Sequence, residues 1–254
     1  MYTETEGVIL KQVKTLNGRR MVSLFSKKYG KISAGTSISE RGKNKSALAM
    51  RPFTHGRYDV NKSAGMYYVN FAEVIKAYYK IGEDVEKYMC ASYILEFVEK
   101  LLPENMPAPE MFKMLLDFFD IIESRKKKHE TVVIAFQVNA LQAMGLTPEL
   151  AGCIICESKD DLSFFVVKEG GVLCNSCRNN IQFEDNNSLI YNVDFDIIST
   201  LKYFLDNNLR SIEHIALNDK ILMQLRVIIR EYISYHFDIK KLKSEDFFDN
   251  FQEV

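Results

Sequence analysis

The chain has 254 residues, 47% hydrophobic and 26% charged, with a formal net charge of −1. This is an ordinary globular composition with enough chain for a sizeable core, and no stretch approaches the roughly 20 apolar residues a membrane-spanning helix requires. The near-neutral total hides an asymmetry: residues 1–80 carry 15 Lys and Arg against 5 Asp and Glu, net +10, and residues 81–254 carry 18 against 29, net −11. A split of this size points to two modules, with an anionic partner for the first.

The opening residues Met1-Tyr2-Thr3-Glu4-Thr5-Glu6 are polar and acidic, unlike a secretory signal. The five cysteines are therefore read in a reducing, cytoplasmic setting, where metal binding is favoured over disulfides. Residues 1–80 alternate short apolar runs with turn signals. The runs are Gly7–Val13, Met21–Phe25, Lys31–Thr36, Pro52–Val60 and Met66–Ile75, and the turns include Asn17-Gly18, Tyr29-Gly30 and Ser63-Ala64-Gly65. Five short strands in this length predict a closed barrel of the OB-fold type. The polar stretch Ser39–Ser46 reads as a mobile loop.

From about residue 82 the period becomes helical. One helix is predicted over Glu83–Leu102, ending before Pro103, and a second over Met111–Ile122, apolar nearly all round and so a buried central helix. Arg125–Lys128 breaks that run as a solvated helix end, or as a dock for an acidic peptide. A third helix carries Val132, Val133, Phe136, Ala140 and Met144 near one side and stops at Gly145 and Pro148. The clearest amphipathic stripe is Ile221, Leu222, Leu225, Ile228, Ile229, Tyr232 and Ile233, which His236 continues. The fold class expected is α+β: an OB-fold barrel over 1–80, then a mainly α-helical domain over 81–254 with a zinc element at about 150–180.

The strongest local motif is Cys153-Ile-Ile-Cys156, followed after 17 intervening residues by Cys174-Asn-Ser-Cys177. The intervening Phe164–Val167, Glu169-Gly170-Gly171 and Val172-Leu173 read as a hairpin that folds one pair back onto the other. This spacing predicts one structural Zn²⁺ per chain held by four thiolates, with no open coordination position for catalysis. Two disulfides or four free thiols are the other readings. Cys90, in an apolar helix, is expected to be a buried inert thiol.

Candidate nucleic-acid contacts in the basic module are Lys11, Lys14, Arg19, Arg20, Lys27, Lys28, Lys31, Arg41, Lys43, Lys45, Arg51 and Arg57, with Lys62 beside them. Phe25, Tyr29, Phe53, Tyr58, Tyr67 and Tyr68 are interleaved with them. Basic groups track phosphates and rings stack on bases; the other reading is a solvated basic surface with its rings in the core. Enzyme motifs fail. His129-Glu130 lacks the second His of a zincin, Ser37 stands where a P-loop before Gly42-Lys43 needs Gly, and Gly152 and Leu173 stand where a deaminase needs Pro. A non-enzymatic protein is expected.

Several stretches together resemble one family. They are Glu6–Leu10, Val22–Ser26 with Gly30, Arg51-Pro52-Phe53, and Phe136–Leu141 through Gly145-Leu146-Thr147-Pro148 into Cys153. The C-terminal members are Tyr235-His236-Phe237 and Leu242–Phe248, with Glu245 standing where the family often has a basic residue. In order and spacing these resemble the RecO family of bacterial recombination mediators. The resemblance implies an OB-fold, a helical domain and, where the cysteines are kept, a zinc element. It also implies binding of single- and double-stranded DNA, strand annealing, and work with RecR to load RecA onto DNA coated by single-strand-binding protein (SSB). Contact with the acidic SSB tail through the helical body, and a place in the cytoplasm at the nucleoid, belong to the same expectation. The reading that rivals it is a zinc-ribbon transcription or RNA-binding factor.

Overall fold

In a computed structural model of the chain, which describes residues 2–14, 20–39, 45–180 and 189–245, the five predicted strands all form. They are β1 (Tyr2–Lys14), β2 (Arg20–Ser26), β3 (Gly30–Thr36), β4 (Thr54–Ser63) and β5 (Met66–Ala77). Alternation sends Val22, Leu24, Ile32, Ala34, Val60 and Val69 inward around Tyr58. The sheet closes as β1-β2-β3-β5-β4, with β4 returning to β1 and β3 parallel to β5. A short helix, α1 (Lys45–Ala49), plugs the barrel with Ala49 and Met50, and the Tyr58 hydroxyl donates to the Ala49 carbonyl at 2.7 Å. This is the OB-fold arrangement. The loop reading of 39–46 needs correction at Lys45 and Ser46, which open α1; residues 40–44 lie outside the described residues. Apolar Ala47, Ala49 and Met50 find the open end of the barrel, a tertiary reward that the polar local sequence does not signal.

Contacts group the chain into two units, Met1–Arg125 with Leu242–Val254, and Lys126–Lys241. In the first unit the barrel is joined by α2 (Tyr79–Gly82), α3 (Val85–Leu101) and α4 (Pro109–Ser124). The Asp84 carboxylate caps α3 by accepting from the Lys87 N–H at 3.1 Å, and Pro109 opens α4 where a missing N–H costs nothing. Phe112 of α4 meets the outward Phe25 edge-on at 5.3 Å, and Phe119 packs on Phe53 and Tyr78. At the start of β3 the Asn105 N–H donates to the Lys31 carbonyl at 2.8 Å, and the Lys31 ammonium donates to the Glu99 carbonyl. Gly30 has a φ of +70°, and a Cβ there would lie 1.9 Å from the Met106 carbonyl oxygen.

The segment Leu242–Glu245 is fastened to α3 by one carboxylate. Glu96 accepts from the Lys243 N–H at 3.0 Å, the Ser244 N–H at 2.9 Å and the Ser244 hydroxyl at 2.7 Å. Burial pushes the pKa of Glu96 up, but the hydrogen bonds from Ser244 and Lys243 outweigh it and hold the group below the usual 4.5. A carboxyl depressed by folding contributes stability that is present above its unfolded value and is lost as pH falls through the folded one. Hydrogen exchange at the Lys243 and Ser244 amides is therefore expected to accelerate below about pH 4.5. Glu96→Gln, which replaces an acceptor with a donor, is expected to expose the same amides at neutral pH. Protection that is unchanged in both experiments would refute the role given to Glu96.

The second unit is built on α5 (His129–Ala143), which packs against α7 (Phe195–Asp206), α8 (Leu209–Ile212) and α9 (Asp219–Phe237). Every residue from Thr131 to Leu141 is buried, so the central buried helix is α5 and not the one predicted over Met111–Ile122. Helix α4 instead leaves Lys113 exposed beside a buried face of Met111, Phe112, Leu115, Phe118 and Phe119. The predicted one-sided stripe of α5 fails because polar residues on its other sides are buried too and find partners inside, although the Asn139 side-chain oxygen has none among the described residues. Thr131 accepts the Leu217 N–H, and the Asn139 amide donates to the carbonyls of Phe204 and Asn207. Lys128, last of the basic run, pairs with Asp219.

A small sheet completes this unit: β6 (Glu149–Cys153), β7 (Leu162–Val166), β8 (Gly171–Cys174) and β9 (Ile190–Asn192), in the order β6-β8-β7-β9, followed after β8 by α6 (Asn175–Asn180). The predicted hairpin is the antiparallel pair β7–β8. Helix α9 lies on this sheet: the Tyr232 ring stands 5.9 Å from Phe165, and His236 Nε2 donates to the Val167 carbonyl at 2.8 Å. His236 is thus the packing residue with a polar tip that its place on the stripe suggested.

Candidate metal centre and nucleic-acid interface

The two cysteine pairs arrive from different local structures. Cys153 ends β6 and is followed by a tight turn, in which the Glu157 N–H donates to the Cys153 carbonyl and the Cys153 N–H to the Ser158 carbonyl, both at 2.8 Å. Cys174 ends β8, and Cys177 sits in the first turn of α6 with its N–H 3.4 Å from the Cys174 sulfur. Because β6 runs beside β8, the two pairs meet, and all four sulfurs lie within 4.8 Å of one another. Beneath them are buried Val166 and Leu173, ringed by Ile154, Leu162, Phe164 and Ile190.

This donor set can hold a metal ion. Four sulfurs at tetrahedral corners, each about 2.3 Å from a central zinc, stand about 3.8 Å apart. Cys156 and Cys174 are separated by 3.8 Å, far beyond the roughly 2.05 Å of a disulfide bond. Burial raises the Cys153 thiol, but N–H groups of Cys174, Cys156 and Ile155 outweigh it and bring it down to about 6. Hydrogen bonding to Cys156, then burial, pushes Cys177 up to about 12. The metal-free cluster thus shares its protons unequally, and a cation entering it displaces them. Cys90 is buried within α3, away from this group in sequence and element.

The basic candidates divide by what they touch. Lys14 and Arg20 are direct cross-strand partners at the open end of the β1–β2 ladder. Like charges so placed repel one another, which makes the pair suited to an anion. Lys45 is exposed at the start of α1, Arg51 just beyond it, and Lys28 on the β2–β3 turn with its ammonium 5.5 Å from the Tyr29 ring. Four others are engaged by carboxylates or carbonyls of the same unit: Lys11 with Glu99 at 4.0 Å, Lys27 with Glu6 at 3.2 Å, Arg57 with Glu4 at 3.4 Å, and Lys31 with the Glu99 carbonyl. Arg19, Arg41 and Lys43 lie outside the described residues. Lys62, on the β4–β5 hairpin, rests 4.9 Å over the Tyr67 ring. Among the described residues no helix is long and apolar enough to cross a membrane.

The sequence reading passed over β6 and β9, the strands that complete the sheet carrying the cysteines. Their signal is weak, since β9 has three residues and β6 touches its neighbour with an irregular register.

Comparison with known proteins covers the whole described molecule. Residues 1–78 match the family model "Recombination protein O N terminal", and residues 82–246 match "Recombination protein O C terminal". The DNA repair protein RecO of Thermoanaerobacter sp. (strain X514) is 27% identical over 251 residues, 99% of this chain and 98% of that protein. The RecO proteins of Alkaliphilus metalliredigens and Halalkalibacterium halodurans are 28% and 24% identical, over 94% and 100% of this chain and 95% and 97% of their own lengths. Matched by these two models over residues 1–78 and 82–246, the chain belongs to the RecO family of DNA repair proteins.

Proposed function

We propose that this chain is a recombination mediator. It binds single- and double-stranded DNA, anneals complementary strands, and works with RecR to load RecA onto DNA coated by SSB, whose acidic tail docks on the helical body. It performs no catalysis and acts in the cytoplasm at the nucleoid. The single observation that carries the reading is the net +10 of residues 1–80 on a closed barrel whose β1–β2 ladder ends in the Lys14–Arg20 pair. Oligonucleotide-binding barrels use their strand 2–3 face and the loops after strands 1 and 4. The mechanism is electrostatic: cations of residues 1–80 replace counterions on two strands and let them meet. The four thiolates of Cys153, Cys156, Cys174 and Cys177 hold one Zn²⁺ per chain, whose contribution is to fold the β6–β9 sheet.

The test is annealing of complementary oligonucleotides coated with SSB, with and without RecR. Acceleration that RecR enhances supports mediator function. A strong preference for one duplex or RNA sequence supports a zinc-ribbon transcription or RNA factor instead, and metal-dependent cleavage supports an enzyme. Single-strand affinity is expected to fall with salt at a log–log slope of about −0.7 per phosphate contact. Lys14→Glu with Arg20→Glu is expected to weaken binding and flatten that slope by about 1.4. An unchanged slope removes this pair from the interface.

A further inference from the structure

The four sulfurs of the cluster differ in their access to solvent. Cys153 and Cys174 end strands and are buried, with 2% and 4% of their surface exposed. Cys177, in the first turn of α6, is half-buried. Cys156 alone of the four is exposed, in the turn after β6 and next to Ile155, itself exposed. Cys90, 2% exposed within α3, has no second cysteine on its helix.

The turn presents Cys156 and also holds it over the cluster. Its base is closed by the two hydrogen bonds that join Cys153 to Glu157 and Ser158, and Glu157 takes a left-handed φ of +60°. A Cβ on Gly152 would lie 2.8 Å from the Glu157 carbonyl oxygen, so the turn is folded tightly onto β6. The Cys156 sulfur is 3.8 Å from that of Cys174 and within 4.8 Å of the other two. A closure of about 1.8 Å would bring Cys156 and Cys174 to disulfide length. An exposed sulfur with a second one held behind it is the arrangement by which cysteines react with peroxides in two steps.

We propose that Cys156 is an oxidation site: a peroxide attacks its sulfur, Cys174 closes a disulfide onto it, and the metal centre is dismantled. This rests on the reading of the four thiolates as a zinc site. In the first step the Cys156 thiolate attacks hydrogen peroxide. The O–O bond breaks, an S–O bond forms, and hydroxide leaves, so the sulfur is oxidised to a sulfenic acid and the peroxide is reduced by two electrons. In the second the Cys174 thiolate attacks that sulfur, an S–S bond forms, the S–O bond breaks, and a second hydroxide leaves. Both hydroxides take up protons. Two thiolates, one peroxide and two protons thus give one disulfide and two waters.

Two of four donors are then lost, and the remaining pair does not complete a tetrahedral zinc site. The new bond ties the turn after β6 to the end of β8, so the two cysteine pairs stay together and a thiol reductant regenerates all four sulfurs. What loosens is the β6–β9 sheet, and with it the seat of α9, where Tyr232 meets Phe165 and His236 the Val167 carbonyl. The barrel strands carry no cysteine and are untouched.

The experiment treats the full chain, purified with reductant that is then removed, with hydrogen peroxide. A chromogenic chelator reads released zinc, a thiol reagent counts cysteines, and tandem mass spectrometry of the digested chain locates disulfides. Wild type is expected to release its one zinc as its five thiols fall to three, with the disulfide at Cys156–Cys174 and dithiothreitol reversing both changes. Hydrogen exchange is expected to accelerate across Phe164–Cys174 and not in β1–β5. Cys90→Ser is expected to lose zinc as wild type does. Cys177→Ser also leaves three thiolates but keeps the exposed corner, and is expected still to form the disulfide. Cys156→Ser is expected to keep its four remaining thiols at the same dose. The proposal is overturned if Cys156→Ser loses thiols as fast as wild type, or if the first disulfide lacks Cys156 or Cys174. Wild type that holds zinc and keeps all five thiols overturns it and leaves the zinc site standing. A chain that binds no zinc yet forms the Cys156–Cys174 disulfide overturns the zinc site and leaves the oxidation site standing.

Discussion

Cys174→Ser is expected to abolish metal binding and unfold the β6–β9 sheet while leaving the barrel unit folded. Cys174 is the most consequential of the four proposed ligands. It is 4% exposed, closes β8, and its sulfur sits 3.4 Å from the Cys177 N–H and 3.8 Å from the Cys156 sulfur. A serine there removes a soft thiolate and leaves three ligands at a site whose strands are short: β6, β7, β8 and β9 have five, five, four and three residues. Such strands are marginal without a staple, and structural zinc contributes about 10–16 kcal/mol in small zinc folds. Elemental analysis is expected to fall from one zinc per chain to near none, with loss of amide protection across Phe164–Cys174. Cys156→Ser, at the exposed corner, is expected to weaken binding without abolishing it. Full zinc content in the Cys174 variant would refute the four-thiolate site.

Gly30→Ala is expected to cost the barrel unit about 3–4 kcal/mol, a large part of the 5–15 kcal/mol that typically holds a domain. Two effects add. The left-handed backbone, with φ at +70°, costs a residue bearing a Cβ about 1–2 kcal/mol. In addition, the Cβ would stand 1.9 Å from the Met106 carbonyl oxygen and 2.9 Å from the Pro107 nitrogen, both backbone atoms that cannot rotate away. Relief requires 104–107 to move off β3, which breaks the Asn105–Lys31 hydrogen bond. Gly65 is the internal control, since its φ is +82° with nothing within 4 Å of an added Cβ. Gly65→Ala is expected to cost only about 1 kcal/mol. Urea midpoints separate the two, and equal losses would show that the approach of 104–107 to β3 contributes nothing.

What could be read in the sequence was what local chemistry encodes. Five strands followed from alternation and turn residues, because one face of each strand lines the barrel core around Tyr58. The cysteine spacing foretold a cluster because each pair needs only a short turn, and the hairpin between them carries its own apolar residues and glycines. Long-range satisfaction was invisible. Thr131, Gln137 and Asn139 look like an outer helical face, and their burial depends on partners such as Leu217 and Phe204 far along the chain. The division of the basic residues was equally hidden. Lys11 is engaged by Glu99 and Arg57 by Glu4, partners that only folding brings near, whereas Lys14 and Arg20 meet each other.

The carboxylate that fastens Leu242–Glu245 also sets an order of events during synthesis. Glu96 and Ser244 are separated by 148 positions, and the whole second unit is threaded between them. A chain emerging from the ribosome N-terminus first can close its barrel and fold Lys126–Lys241 while Glu96 still faces water. The first unit is finished only when residues after the second unit return to α3. The unit that begins the chain is thus completed last, and a ribosome stalled anywhere within the second unit releases a barrel whose α3 still lacks its covering segment.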